Sequence, residues 1–260
     1  LASGMLYQNR NLNTISNNMV NTSTPGYKSD RMVSTTFKDE ILYRNGNLNK
    51  NNATQIGSLS TIRAVGITKT SHNQGNVEET GGNLDFGLTK PGFFAIQDSN
   101  GNRLYTRNGS FQVDDEGYLS LSSLGRVLGE DGNPIELTSD HISVDKSGNI
   151  YEVPLKGLGT DEDGASSEDE EPQLLGKLGV FDFNDYNQLV KGNNGTFTTT
   201  ADGNAVDGGI QWKSLERSNI DPIDEMTAMM TSQRASQSAA QVLKMYDQLM
   251  GKIVSDIGRV

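Results

Sequence analysis

Phe93-Phe94-Ala95-Ile96-Gln97, Asp98-Ser99-Asn100-Gly101-Asn102, Arg103-Leu104-Tyr105-Thr106: this stretch reads as strand, turn, strand. The outer pieces are rich in aromatic and β-branched side chains, which suit a pleated sheet. The middle piece is Asp, Ser, Asn and Gly, which reverse a chain through local hydrogen bonding and backbone freedom. The alternation continues downstream. Strand-like runs recur at 110–113, 118–121, 126–128, 141–144 and 149–153, parted by turns at 114–117, 130–133 and 145–148. Further strands are expected at 177–183, 195–200 and 210–215. Short strands at such regular spacing predict an antiparallel sheet, sandwich or open barrel. Residues 81–214 are therefore expected to form one mainly antiparallel β domain.

Working outward, the ends have a different period. Leu1, Met5, Leu12, Ile15 and Met19 follow a 4-3-4-3-4 spacing, with Gln8 as the polar interruption. That is a heptad seam on a helix. Thr24-Pro25-Gly26 stops it, since proline lacks a donor and restricts the residue before it. At the other end Asp221 precedes Pro222, an N-cap followed by proline at the first helical position. Ala235, Ala239, Val242, Tyr246, Leu249 and Ile253 then repeat the heptad spacing. A helix is predicted over 222–257, about 54 Å long at 1.5 Å per residue. A short heptad helix is marginal alone and needs a partner. The expectation is that the two ends pair as a coiled coil, with each other or with copies of themselves. The fold class is α+β, with 1–45 and 215–260 as a discontinuous helical domain. Residues 46–80, rich in Asn, Thr, Ser and Gly, read as an extended connector.

The chain of 260 residues carries 22 basic and 33 acidic side chains, a formal net charge of -11. The charge is uneven. Residues 1–45 hold five basic and three acidic side chains, and 215–260 hold five and six, so the ends are nearly neutral and a net charge of -12 lies in 46–214. No basic stripe exists to displace counterions from nucleic acid. Seven acidic residues crowd into 161–171, which reads as a solvated insertion in the β domain. No run approaches the roughly 20 apolar residues of a membrane span.

Chemistry is sparse. Zero cysteines exclude thiolate metal sites and a cysteine nucleophile. Two histidines, His72 and His141, offer no metal spacing and no triad. Gly157-Leu158-Gly159 leads into acidic residues and suits no phosphate. No catalytic, cofactor or metal residue is assigned. The lone Trp212 reads as core or domain-junction packing.

Four stretches carry a family resemblance. Asn17-Asn18-Met19-Val20-Asn21-Thr22-Ser23-Thr24-Pro25-Gly26-Tyr27-Lys28 resembles the N-terminal signature of the bacterial flagellar rod and hook proteins. Gly81-Gly82-Asn83-Leu84-Asp85 with Gly92-Phe93-Phe94 resembles the same family's entry into its β domain. Tyr105-Thr106-Arg107-Asn108-Gly109-Ser110-Phe111, followed by Asp114, Gly117, Tyr118 and Leu119, is the most specific match. Leu215-Glu216-Arg217-Ser218-Asn219-Ile220-Asp221, Glu225-Met226 and Gln233-Arg234 resemble the C-terminal signature. Ser236 and Ala239 depart from it, standing where the family usually has an aromatic residue and an asparagine.

The resemblance implies paired terminal helices, an outer β domain and no enzyme activity. It implies export through the flagellar type III apparatus, no membrane insertion, and a place in the basal body, outside the cytoplasmic membrane. Size and the single β domain are nearest the rod members, the distal-rod type especially. The expected partners are copies of itself and other rod or hook subunits. The expected subunit interface takes Leu12, Ile15, Val242, Tyr246, Leu249 and Ile253 from the heptads, and Asn17, Asn18, Met226, Gln233 and Arg234 from the signatures. The alternative class is a secreted β-domain binding module, an adhesin or carbohydrate-recognition domain, which would show an aromatic-lined cleft and no use for heptads.

Overall fold

The run Phe93-Phe94-Ala95-Ile96 is apolar at four successive positions because its strand is buried on both faces. A computed structural model describes residues 2–36, 40–44, 54–59, 63–122, 124–137, 141–153, 173–192, 194–201 and 203–257. In it the strand Phe93–Gln97 lies inside the largest sheet. Successive side chains of a strand point to opposite faces. Phe94 and Ile96 accordingly join a core with Phe86, Leu119, Val127 and Ile150. Phe93 and Ala95 join a second core with Tyr105, Phe181, Phe183 and Phe197. On one edge Phe93–Gln97 pairs antiparallel with Arg103–Thr106. It also pairs with Gly125–Val127 and with Val180–Asp182. The sheet extends to Leu119–Leu121 and Gln112–Val113 on one side, and to Thr196–Thr198 and Val190–Lys191 on the other. Every strand pairing among the described residues is antiparallel. No helix occurs among the described residues of 92–153. The acidic run 161–171 lies outside the described residues.

The turns have one recurring construction. In 98–102, 114–118 and 145–149 the first residue's N–H donates to the fifth residue's carbonyl at 2.9–3.1 Å. The fourth residue is glycine in each, with φ of +84°, +87° and +87°, a region that L side chains rarely occupy. Its N–H donates to the first carbonyl at 3.0 Å. The first residue is Asp98, Asp114 or Asp145, whose carboxylate accepts backbone N–H donors across the turn. Those donors hold all three carboxyls below the ordinary carboxylate range, the backbone N–H of Asn102, Tyr118 and Ser147 contributing most.

The chain forms two units. The β unit comprises 21–28 and 72–219. The helical unit comprises 1–20, 29–71 and 220–260. It contains α1 (Ala2–Val20), β1 (Asp30–Thr36), β2 (Glu40–Arg44), β3 (Thr54–Leu59), β4 (Arg63–Thr70) and α2 (Pro222–Ile257). Both helices match the sequence expectation closely. Asp221 caps α2, its Oδ1 accepting the Ile223 and Asp224 N–H groups at 2.8 and 3.4 Å. An antiparallel arm joins strands from two of the expected segments, β1 and β2 from 1–45, read as helical, and β3 and β4 from 46–80, read as a connector: β1 pairs with β4, and β2 with β3. Helix α1 packs on β1, β4 and α2. Met32 is buried, and Val33 and Ile67, paired across the arm, are exposed.

Candidate functional site: two internal clasps and an exposed helix stripe

Within the β unit, three signature stretches meet at one buried carboxylate. Glu216 ends the strand Ser214–Glu216, which pairs with Val77–Glu79 and brings the carboxylate inward. Its side chain is fully buried, and Lys28 and Arg107 are buried against it. Glu216 Oε1 accepts from Lys28 Nζ at 2.8 Å and from the Gly75 N–H at 2.8 Å. Oε2 accepts from Arg107 Nε. Arg107 also donates from Nη1 to the Gly92 carbonyl and from Nη2 to the Lys90 carbonyl. Lys28 Nζ also donates to the Asn73 carbonyl at 2.8 Å. One anion thus balances part of two cations, and each polar group has partners, as burial requires. Burial pushes the Lys28 ammonium below its ordinary range, with Glu216 opposing.

The backbone completes this clasp. Gly26 donates its N–H to the Glu216 carbonyl at 2.7 Å. Gly26 has φ +66°, and a Cβ there would stand 2.3–2.4 Å from the Arg107–Asn108 backbone. The Thr24-Pro25-Gly26 stop signal is therefore also a docking element. Lys191 reinforces it: its Nζ lies 3.8 Å from the Tyr27 ring centroid and donates to the Lys28 carbonyl at 2.6 Å. Nearby, His72 stacks on Tyr186 with centroids 5.0 Å apart and packs on Phe93 and Phe197. Tyr186 donates to Asp182 Oδ1 at 2.6 Å, and burial, with that hydrogen bond, pushes its phenol up to about 12.

The helical unit has its own clasp at Asn18, which is 1% exposed. Its Nδ2 donates to the Asp30 carbonyl and to Glu225 Oε1, each at 2.8 Å. Its Oδ1 accepts the Asp30 N–H at 3.0 Å. One amide therefore ties α1 to β1 and α2. Further along, Ser232 donates to Gln8 Oε1 at 2.7 Å. Asn18 with Glu225 and Gln8 with Ser232 make the two helices antiparallel.

The residues expected at a subunit interface divide sharply. Ile15 and Asn18 are buried inside this chain, and Leu12 is half-buried. Asn17, Met226, Gln233 and Arg234 are exposed. Val242, Tyr246, Leu249 and Ile253 are exposed by 43%, 57%, 60% and 50%. Helix α1 spans 19 described residues and α2 spans 36, and Val242, Tyr246, Leu249 and Ile253 lie on the part of α2 beyond the Gln8–Ser232 contact. Trp212 is partly buried against the larger core, its Nε1 donating to the Asn83 carbonyl at 2.7 Å.

Charge separates the units as well. The helical unit holds eleven basic and eight acidic side chains; the β unit holds eleven and 25. Among the described residues no helix is long and apolar enough to cross a membrane.

Comparison with known proteins gives the geometry a family. Residues 89–152 match the flagellar hook protein FlgE/F/G D1 domain. Residues 213–256 match the flagellar basal body rod FlgEFG protein C-terminal domain. The chain is 30% identical to the flagellar basal-body rod protein FlgG of Buchnera aphidicola subsp. Schizaphis graminum, over 96% of this chain and 95% of that one. It is 29% identical to the hook-basal body complex protein FlhP of Bacillus subtilis, over 94% and 93%. It is 26% identical to the basal-body rod protein FlgF of Caulobacter vibrioides, over 96% and 93%. This chain belongs to the flagellar basal-body rod protein family, and its role is that of a structural subunit in the basal body.

Proposed function

We propose that copies of this chain self-assemble, and join other rod or hook subunits, through the exposed stripe of α2, building a helical tube that transmits torque. The observation that carries this reading is the uncovered heptad seam at Val242, Tyr246, Leu249 and Ile253. A row of large apolar side chains left in water on a 54 Å helix is a surface awaiting a partner. Burying each such side chain contributes roughly 1.5–3 kcal/mol. Helices from neighbouring copies would complete the coiled coil that the heptads specify. Heterologous contacts that do not close give open helical assemblies. The β unit, with its 25 acidic side chains, would face solvent and resist unspecific aggregation.

The family membership supports a route of export through the flagellar type III apparatus, and it assigns no catalytic role. A secreted binding module has no support, since the relatives are rod proteins and Trp212 packs against the core.

The test is complementation of a strain lacking this gene with L12D/L249D, scored by motility and by electron microscopy of basal bodies. The expected result is an exported protein with no rod and non-motile cells. Normal swimming would remove the helices from the assembly interface.

A further inference from the structure

The exposed stripe on α2 is bordered by sulfur. At 100° per residue, Val242, Tyr246, Leu249 and Ile253 cluster around one helix direction. Met245 and Met250 lie about 70° to either side of that direction. Both are about half exposed, at 55% and 46%. Met32, by contrast, is 8% exposed under α1. The chain has no cysteine, so its eight methionines are the thioethers that an oxidant meets first.

We infer that Met245 and Met250 form a peroxide-sensitive modification site that controls whether a free subunit can associate through α2. This rests on the reading of α2 given above and adds a regulation to it. The chemistry is an oxygen transfer. A sulfur lone pair attacks the O–O bond of hydrogen peroxide. One oxygen stays on sulfur as sulfoxide, sulfur loses two electrons, and the peroxide leaves as water. The product is a polar S=O on a side chain that was flexible and apolar. In the free chain that group stays hydrated at no cost. In an assembled subunit the stripe's flanks would be covered, so the sulfoxide would have to shed water without a built partner. Oxidation therefore acts before assembly, and assembly protects. Thioethers suit such a border for a second reason, since methionine adapts to irregular partner surfaces.

The test uses the full-length chain, dilute hydrogen peroxide quenched with catalase, peptide mass mapping and sedimentation velocity. Met245 and Met250 should each gain one oxygen several-fold faster than Met32. The concentration for half-association should rise about tenfold, the effect of about 1.4 kcal/mol. Treatment with methionine sulfoxide reductases A and B should restore it. M245L/M250L keeps volume and helix propensity and should still associate after the same peroxide exposure. Oxidation of Met245 and Met250 no faster than of Met32 would overturn the proposal. So would unchanged association with both sulfoxides present, or loss of association in oxidised M245L/M250L. An L249D chain that associates as well as untreated wild type would be a separate failure, sinking the α2 interface itself and the regulation with it.

Discussion

Glu216 and Leu249 break the ordinary rule of burial in opposite directions. One is a carboxylate with no exposed surface; the other is a leucine with 60% of its surface in water. Glu216 is buried because the chain supplies its partners: two cations and a backbone N–H, drawn from three distant stretches. Among the described residues no helix covers Leu249 on α2. The first region is complete within one chain and fixes its internal geometry. The second is an exposed apolar stripe, which the function proposed above covers with helices of other copies.

That contrast predicts where substitutions act. The largest effect on folding should come from E216A. It leaves Lys28 and Arg107 buried without their anion, and removing one partner of a buried pair costs about 3–5 kcal/mol. For a chain of this size that lowers the melting temperature by roughly 6–20 °C. Thermal unfolding followed by circular dichroism measures it. A shift of only a degree or two would show that the cluster does not hold the β unit together.

K28M should be milder, and the asymmetry is informative. It keeps the Arg107–Glu216 pair, which is neutral in sum, and removes an ammonium whose charged form burial already disfavours. The losses are the hydrogen bonds to the Asn73 carbonyl and to Glu216 Oε1, together about 2–3 kcal/mol, while the Gly75 N–H and Arg107 still hold the carboxylate. Equal destabilisation by K28M and E216A would break the argument that Glu216 is the hub.

Alkaline titration sharpens the same region. Lys28 has a folded-state value below 10.5, so the unfolded chain binds its proton more tightly. Between the folded value and 10.5, stability gains from Lys28 as pH rises. Tyr186 has the opposite sign. Its folded value is about 12 against 10.0 unfolded, so its contribution is complete below pH 10 and lost as pH rises toward 12. Spectrophotometric titration should show a late-ionising tyrosine phase, and Y186F should abolish that phase. Y186F keeps the ring stacked on His72 and loses one hydrogen bond, about 1 kcal/mol. A late phase that survives in Y186F would refute the assignment.

How much of this was legible in the sequence follows from how local each interaction is. Helix α2 could be read to its ends because Asp221-Pro222 and the heptads are local signals. The turns could be read because Asp98, Asp114 and Asp145 act within five residues, with glycine at the required position. The strand expected over 210–215 divides instead at Lys213, whose φ of +58° turns the chain from one sheet to another. No sequence pattern marks that turn, because a lysine there works against its own backbone preference. The Glu216 clasp was illegible for a different reason. Its ion pairs join residues 109 and 188 positions apart, and no periodicity relates them. Only the accident that Lys28, Arg107 and Glu216 each sit in a family signature hinted at them. Asn18 was expected on the strength of its signature at a subunit interface; the chain uses it internally, to bind α1 to β1 and α2.

The smallest effect on folding, with the largest on assembly, is expected at Leu249. In the free chain its side chain is mostly solvated, so L249D removes little packing. An exposed mid-helix substitution of Leu by Asp costs about 0.5 kcal/mol through helix propensity. The melting temperature of the monomeric chain should therefore stay within about 2 °C of wild type. Association should respond far more strongly. At a helix–helix seam the same substitution loses the burial of a leucine, roughly 1.5–3 kcal/mol, and asks a carboxylate to leave water. The concentration for half-association in sedimentation velocity should rise at least tenfold, since about 1.4 kcal/mol already gives that factor. E216A serves as the inverse control: at a temperature where it is still folded, its α2 stripe is unaltered and it should associate as wild type does. If L249D instead melted as low as E216A, α2 would be holding the monomer together. Its exposed face would then be a structural surface of one chain, and the contrast between the two regions would collapse.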